Sequence, residues 1–332
     1  MEKTKLVSIE ALRFIFMTII AIWHFGRINP FTHGYIAVDF FFILSGFLIY
    51  NSYIRHKYDA LEYTIAKLKR FYPEYIIVFL ISFFMKLRIL LRDNDIITVV
   101  FNAISEGTLI HSVGIYGGNV NPPSWYVSVL LIGGGLLYSV LFYNRRLAVS
   151  IIFPLLVLLS YTYLLGVNGS IELFATVGFV SQCLLRGMAG MALGIVLSVF
   201  SLRYSQEFFR KHILFDVFSL IALAVVVILL FENRNYDKMA LLAFCMLILS
   251  CSISNALVNR IFKSQIWTKL GGVTFEMLLV HSPVIWVINN LTRSIPLSFW
   301  GKIMLAIVYM GIVVIVSFIL KSLNNRIRMI LK

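Results

Sequence analysis

The feature that most constrains this chain is a series of apolar segments long enough to cross a bilayer, some with ionisable residues inside them. Two such segments follow one another near the N-terminus and contain Arg13, His24 and Asp39. A charge at the centre of a bilayer costs roughly 2.5–3.5 kcal/mol on insertion scales, so residues of this kind are usually retained for function. These three side chains are therefore the first candidates for a functional site.

Composition predicts an all-α polytopic membrane protein. The chain of 332 residues is 60% hydrophobic and 13% charged, with a mean hydropathy of +0.90, whereas soluble domains carry about 25% charged residues. We expect about ten transmembrane helices in one domain over residues 1–332, with no appended soluble domain. The predicted spans cover residues 7–27, 35–54, 73–92, 123–143, 148–166, 173–200, 213–231, 238–257, 273–291 and 297–320.

The distribution of positive charge predicts the orientation in the membrane. Of the 29 Lys and Arg residues, 19 fall on the side of the two termini, eight on the other side, and Arg13 and Arg186 within spans. Because Lys and Arg concentrate on the cytoplasmic side, we predict that both termini lie in the cytoplasm. The net charge of +14 then reflects orientation and anionic lipid, and we expect no nucleic-acid partner.

One basic group does not follow this orientation. Lys86, Arg88 and Arg92 fall on the predicted outer side. Two interpretations stay open: the group forms an outer patch that attracts an anionic acceptor, or the third predicted span is misplaced.

The three cysteines predict neither a disulfide framework nor a metal site. They all fall within apolar spans, show no paired spacing, and have no accompanying His/Cys cluster.

Helical spacing relates the ionisable residues of the first two spans. Arg13 and His24 are eleven residues apart, so they share one helix face and are separated by about 16 Å along the axis. The second span returns toward the first, which brings Asp39 to roughly the depth of His24. A carboxylate beside an imidazole fixes its tautomer, so we predict that Asp39 orients His24 as a general base. Ordinary polar contacts inside a bundle are the alternative.

Five motifs, in order along the chain, resemble those of the acyltransferase-3 family of integral membrane acyltransferases. The first is the Arg13–His24 pair within A-L-R-F and I-W-H-F, and the second is G-Y-I-A-V-D-F-F-F-I-L-S-G-F. The others are a basic segment ending in P-E-Y, an Arg-containing span before a Gly, and a T-F-E-M-L-L-V-H-S-P-V segment. They occupy residues 13–24, 34–47, 67–75, 185–191 and 274–284.

The resemblance implies a multi-pass O-acyltransferase of the bacterial plasma membrane. Many family members O-acetylate bacterial surface polysaccharides, so acetyl-CoA in the cytoplasm is the expected donor and a hydroxyl of a cell-envelope glycan the expected acceptor. Arg13 would meet the pantetheine or phosphate part of the donor, and His24 would act near the thioester. Whether His24 is a general base or an acyl carrier stays open.

The resemblance also suggests where the two substrates bind. The basic run Lys67, Lys69 and Arg70 would form a mouth for the nucleotide phosphates, although plain positive-inside anchoring also explains it. Trp125 and Tyr126 would stack on the acceptor sugar, although aromatic residues are also common at membrane interfaces.

Further substrate-binding candidates lie in later spans. They are Arg186 and His281, and Glu172 or Glu276 could pair with Arg186. Ser45 of the S-G-F motif is either a nucleophile or part of a close helix contact.

The chain departs from the family pattern at one place. The segment S-W-Y-V-S-V-L-L-I resembles a family motif whose acidic residue would fall at Leu130 or Leu131. The role of that acidic residue is therefore absent here or supplied by another residue.

Buried Arg, His and Asp are also typical of proton-coupled transporters of small anions, which is the alternative function. The lack of an evident internal repeat counts against it. The expected partners are acyl-CoA, the glycan acceptor and the bilayer, and association into a homo-oligomer is left open.

Overall fold

The computed structural model is almost entirely helical. It describes residues 3–28, 30–56, 58–114, 120–172, 176–177, 180–204, 212–232, 236–253 and 257–330. The α-helices of these residues are α1 Lys3–Phe25, α2 Ala37–His56, α3 Ala60–Asp93, α4 Ile96–Gly107, α5 Trp125–Tyr143, α6 Arg145–Leu147, α7 Phe153–Asn168, α8 Gln182–Tyr204, α9 His212–Phe231, α10 Asp237–Cys251, α11 Leu257–Ile261, α12 Ile266–Gly271, α13 Thr274–Leu291 and α14 Phe299–Ile330.

Short elements connect these helices. A π-helical turn joins α6 to α7, so the three form one continuous helical segment. Strands β1 Thr176–Val177 and β2 Val180–Ser181 pair antiparallel before α8. The predicted sixth span therefore starts too early: the described residues between 173 and 181 lie in this hairpin, and the helix begins at Gln182.

Six segments are long and apolar enough to cross a membrane, which supports an integral membrane protein. They are Val7–Phe25, Gly34–His56, Pro122–Tyr143, Arg145–Val167, Gln182–Arg203 and Phe299–Met329. Each of the other four predicted spans overlaps a helix, namely α3, α9, α10 or α13, but none of these helices is among the six. The number of ten crossings remains a prediction.

Helix α2 lies at the centre of the bundle and packs most extensively against α8. Two glycines allow this contact. A Cβ at Gly46 would overlap the carbonyl group of Met191, and a Cβ at Gly194 would overlap that of Ile43. Small residues let helix backbones approach closely in membranes. Gly46, in the S-G-F motif, therefore serves helix packing.

Two helices extend beyond their predicted spans. Helix α3 begins at Ala60, where the Asp59 side chain accepts the Glu62 N–H at 2.7 Å and the Glu62 side chain accepts the Asp59 N–H at 3.0 Å. Much of the basic stretch 55–72 is therefore helical rather than a loop. Helix α14 continues ten residues past its predicted end at 320, to Ile330. Both extensions place basic side chains on regular helix faces.

Candidate active site

A cavity of about 550 Å³ lies between α1, α2, α3, α5, α13 and α14. Arg13 and His24 both line it, so the two side chains of α1 face the same space. Ser45 of α2 lines it too, although its neighbour Gly46 packs against α8. The first helix thus contributes an arginine and an imidazole to one continuous cavity.

His24 is exposed to this cavity and is held by its own helix. Its Nδ1 lies 3.0 Å from the carbonyl oxygen of Ile20, one turn earlier. A carbonyl oxygen only accepts hydrogen bonds, so Nδ1 carries the hydrogen of the neutral ring and Nε2 carries the lone pair. The backbone of α1 therefore fixes the tautomer that a general base needs.

His281 of α13 lies behind His24 rather than at the cavity surface. It is completely buried, and its ring centroid lies 5.2 Å from that of His24. Its Nδ1 also faces a carbonyl one turn earlier, that of Met277 at 3.1 Å. Within the described residues its Nε2 has no hydrogen-bond partner. This position supports a contact with His24 and not the predicted direct contact with substrate.

The structure corrects the predicted partner of Asp39. Its carboxylate binds Arg186 of α8, with Nη2–Oδ2 at 2.6 Å and Nε–Oδ1 at 3.3 Å. Arg186 also donates to the carbonyl of Tyr35 at 3.0 Å. The close α2–α8 contact brings the two side chains together, and neither is more than 3% exposed. A buried charge needs a partner of opposite sign, so each satisfies the other, and no hydrogen bond between Asp39 and His24 is seen.

The Asp39–Arg186 pair also corrects two predictions for Arg186, its carboxylate partner and its contact with substrate. Its carboxylate partner is neither Glu172 nor Glu276, and its side chain does not line the cavity.

Arg13 is also paired, but at the edge of the cavity. Its Nη1 lies 2.8 Å from both carboxylate oxygens of Glu10, one turn earlier in α1. The Arg13 side chain remains 26% exposed. Its Nε and Nη2 have no hydrogen-bond partner in the described part of the chain, so they are available to a ligand.

The basic segment of α3 forms one wall of the cavity. Lys67 and Arg70 line it, whereas Lys69 is exposed and lies outside it. The Lys67 Nζ sits 5.3 Å from the ring centre of Tyr63 and 5.8 Å from that of Phe71. The pKa of Lys67 is lowered to about 8. Burial is the larger cause, and the nearby positive charge of Arg70 is the second.

Helix α14 supplies two basic and two amide side chains that were not predicted as site residues. Lys321, Asn324, Asn325 and Arg328 all line the cavity. The Arg328 Nη2 donates to the carbonyl of Arg70 at 2.6 Å. The last three follow Lys321 by three, four and seven residues, so all four side chains share one helix face. This spacing is visible in the sequence. It was overlooked because a basic end of a span also fits positive-inside anchoring.

Three carboxylates share the cavity with these cations. They belong to Glu10, Glu74 and Glu276, and the Glu74 side chain accepts a hydrogen bond from Asn324. Leu130, one of the two positions where the family motif would place an acidic residue, also lines the cavity, whereas Leu131 does not. Carboxylates on other helices thus reach the space that a side chain at Leu130 faces.

Trp125 and Tyr126 line the cavity at the first turn of α5. The segment before them is fixed by Glu106 of α4, which accepts the N–H groups of Val120 at 3.0 Å and Asn121 at 2.6 Å. Burial raises the pKa of the Glu106 carboxyl, while these N–H groups favour its charged form. Glu106 therefore positions the two aromatic residues without entering the cavity.

The buried pair makes a prediction about stability. Asp39→Asn or Arg186→Met alone leaves a charge buried without its partner, which costs roughly 3–5 kcal/mol. The double variant removes both charges and should regain most of this loss. The measurement is thermal unfolding in detergent, followed by labelling of the buried Cys251 thiol. Additive losses in the double variant would contradict the pairing.

A family model described as an acyltransferase domain, that of the acyltransferase-3 family, matches residues 6–322. No curated protein and no solved structure matches the chain. The match covers nearly the whole sequence, including all five motifs noted above. The chain belongs to the acyltransferase-3 family of membrane acyltransferases.

Proposed function

We propose that this protein is an acetyl-CoA-dependent O-acetyltransferase of the bacterial plasma membrane that modifies a hydroxyl of a cell-envelope glycan. The observation that carries the proposal is one cavity joining a cluster of cations to an imidazole with an available Nε2. In the predicted orientation the cations lie at the cytoplasmic end, where acetyl-CoA is found. The termini are cytoplasmic and the glycan approaches from the other side.

The cations fit the phosphates of the donor. Five basic side chains line the cavity besides His24, and three carboxylates offset only part of their charge. The basic side chains are Arg13, Lys67, Arg70, Lys321 and Arg328. Guanidinium groups bind phosphate through paired hydrogen bonds. Lys69, which lies outside the cavity, is left to interact with the membrane surface.

The length of the cavity fits the rest of the donor. Arg13 and His24 are about 16 Å apart along α1, and the extended pantetheine arm spans on the order of 15–20 Å. With the nucleotide among the cations, the thioester reaches His24. Trp125 and Tyr126 then offer aromatic faces to the acceptor sugar.

His24 acts as a general base in this proposal. Its Nε2 takes the proton of the acceptor hydroxyl as the oxygen attacks the thioester carbonyl. The carbon–sulfur bond breaks, the acetyl ester forms, and the CoA thiolate leaves and recovers the proton from the imidazolium. His281, packed against His24, is a positioning residue that keeps the ring in place. Asp39 and Arg186 hold α2 against α8 and so maintain the cavity wall.

Removing the proposed base gives the first functional prediction. His24→Ala should lower the rate of transfer roughly 10²–10⁴-fold, while the protein stays folded and inserted. The matched control is His56→Ala, because His56 is exposed and lies outside the cavity. The measurement is release of CoA thiol by purified protein, together with the mass of the acetylated glycan. Full activity of His24→Ala would remove the proposed centre and favour the transporter alternative.

The lowered pKa of Lys67 predicts how donor affinity depends on pH. Lys67 is charged below about pH 8 and loses its charge above it, and a neutral amine does not attract phosphate. The KM for acetyl-CoA should therefore rise up to roughly tenfold between pH 7 and pH 9. Lys67→Arg keeps its charge throughout this range and should abolish the rise.

The control for this pH prediction is Lys69→Arg. Lys69 lies on the same helix but outside the cavity, so its replacement should leave the wild-type dependence unchanged. An identical rise of KM in Lys67→Arg would show that another group is responsible.

A further inference from the structure

A second cavity, of about 490 Å³, lies at the C-terminal end of α1 and along the C-terminal half of α13. Arg27 follows His24 by three residues, and Ser282 directly follows His281; both line this second cavity. Neither imidazole lines the second cavity, but each lies within three residues of a side chain that does. The second cavity is therefore close along the chain to both histidines.

The second cavity is strongly cationic. Arg27, Lys86 and Arg293 line it, and none of its lining residues is acidic. Within the described residues, no carboxylate forms an ion pair with any of the three. The nearby carboxylate that influences Lys86, that of Glu106, is buried and already engaged by backbone N–H groups. The positive charge of the cavity is therefore available to a ligand.

Neutral groups hold two of these cations in place. The Arg27 Nε donates to the Asn289 side-chain oxygen at 2.9 Å. The Lys86 Nζ donates to the Val120 carbonyl at 2.7 Å. These contacts orient the side chains without neutralising them, which is the arrangement expected of a site for an anion.

The rest of the lining is suited to a sugar. Trp286 offers an aromatic face, and Asn290 and Ser282 offer amide and hydroxyl groups. A flat apolar face beside hydrogen-bonding groups matches a sugar ring, which has apolar C–H faces and polar edges. A lipid phosphate would bind the cations but would make no use of the aromatic, amide and hydroxyl groups beside them.

We propose that the second cavity binds an acidic sugar unit of the acceptor, so that the acceptor is an anionic glycan bearing carboxylate or phosphate groups. Arg27, Lys86 and Arg293 bind the acidic group, and Trp286 stacks on the ring that carries it. The neighbouring hydroxyl is then presented to His24. This inference rests on the proposed function and specifies its acceptor.

The test is binding of a defined probe to the purified protein in nanodiscs of neutral lipid. The probe is a uronic acid oligosaccharide, compared with a neutral oligosaccharide of the same length. The acidic probe should bind more tightly, with an affinity that falls as salt rises. Arg293→Glu should weaken it roughly 10- to 100-fold, the effect of losing a charge-assisted hydrogen bond.

The matched control is Lys302→Glu. Lys302 is exposed on the same predicted side of the membrane but does not line the cavity, so the same change of charge should alter binding less than about twofold. Equal binding of acidic and neutral probes, or an equal effect of the two variants, would overturn the proposal. So would retention of anionic lipid by the wild type but not by Arg293→Glu, without any binding of the acidic probe.

Failure of the acceptor site and failure of the proposed function give different results. Acetyl transfer to neutral glycans with no preference for acidic ones would contradict the acceptor site alone. Normal binding of the acidic probe without acetyl transfer from acetyl-CoA would contradict the function alone. Arg293→Glu should raise the KM for an acidic acceptor and leave the KM for acetyl-CoA unchanged.

Discussion

The structure depends on how the apolar bundle accommodates its ionised groups. A charge among lipid-facing helices must find an opposite charge or a water-accessible space. Asp39 and Arg186 pair with each other, and their contact accompanies the close packing of α2 on α8. Arg13 and His24 face the cavity instead, with Arg13 also bound to Glu10. The distribution of charge thus separates residues that hold the bundle together from residues free to meet a ligand.

Because Asp39 pairs with Arg186, His24 is oriented in another way. The imidazole of His24 is oriented by the Ile20 carbonyl and not by a carboxylate, so its neutral, basic form does not require a buried anion beside it. The cavity that His24 lines also holds five basic side chains, and a second group of cations lies beside Trp286 in the second cavity. In the proposed function both substrates would therefore be held by positive charge.

Helical periodicity and charge could predict part of this site. The spacing of Arg13 and His24 fixes a shared face because both lie on one helix. The partner of Asp39 could not be derived, because depth in the membrane says nothing about how a neighbouring helix is rotated. Asp39 faces α8 and Arg186, not α1. Arg328 is a different case. Its spacing from Lys321 places both on one face if α14 continues past residue 320, as it does. Hydropathy does not report where a polar helix ends, and a basic helix end also fits positive-inside anchoring.

The central claim is that one protein joins a donor on one side of the membrane to an acceptor on the other through the cavity at His24. Sided proteoliposomes test this directly, with isotope-labelled acetyl-CoA outside or inside and the glycan acceptor confined to one compartment. The account predicts labelled glycan only when donor and acceptor lie on opposite sides, with the donor on the side of Arg328 and the two termini. Labelling that requires both substrates on the same side would contradict it.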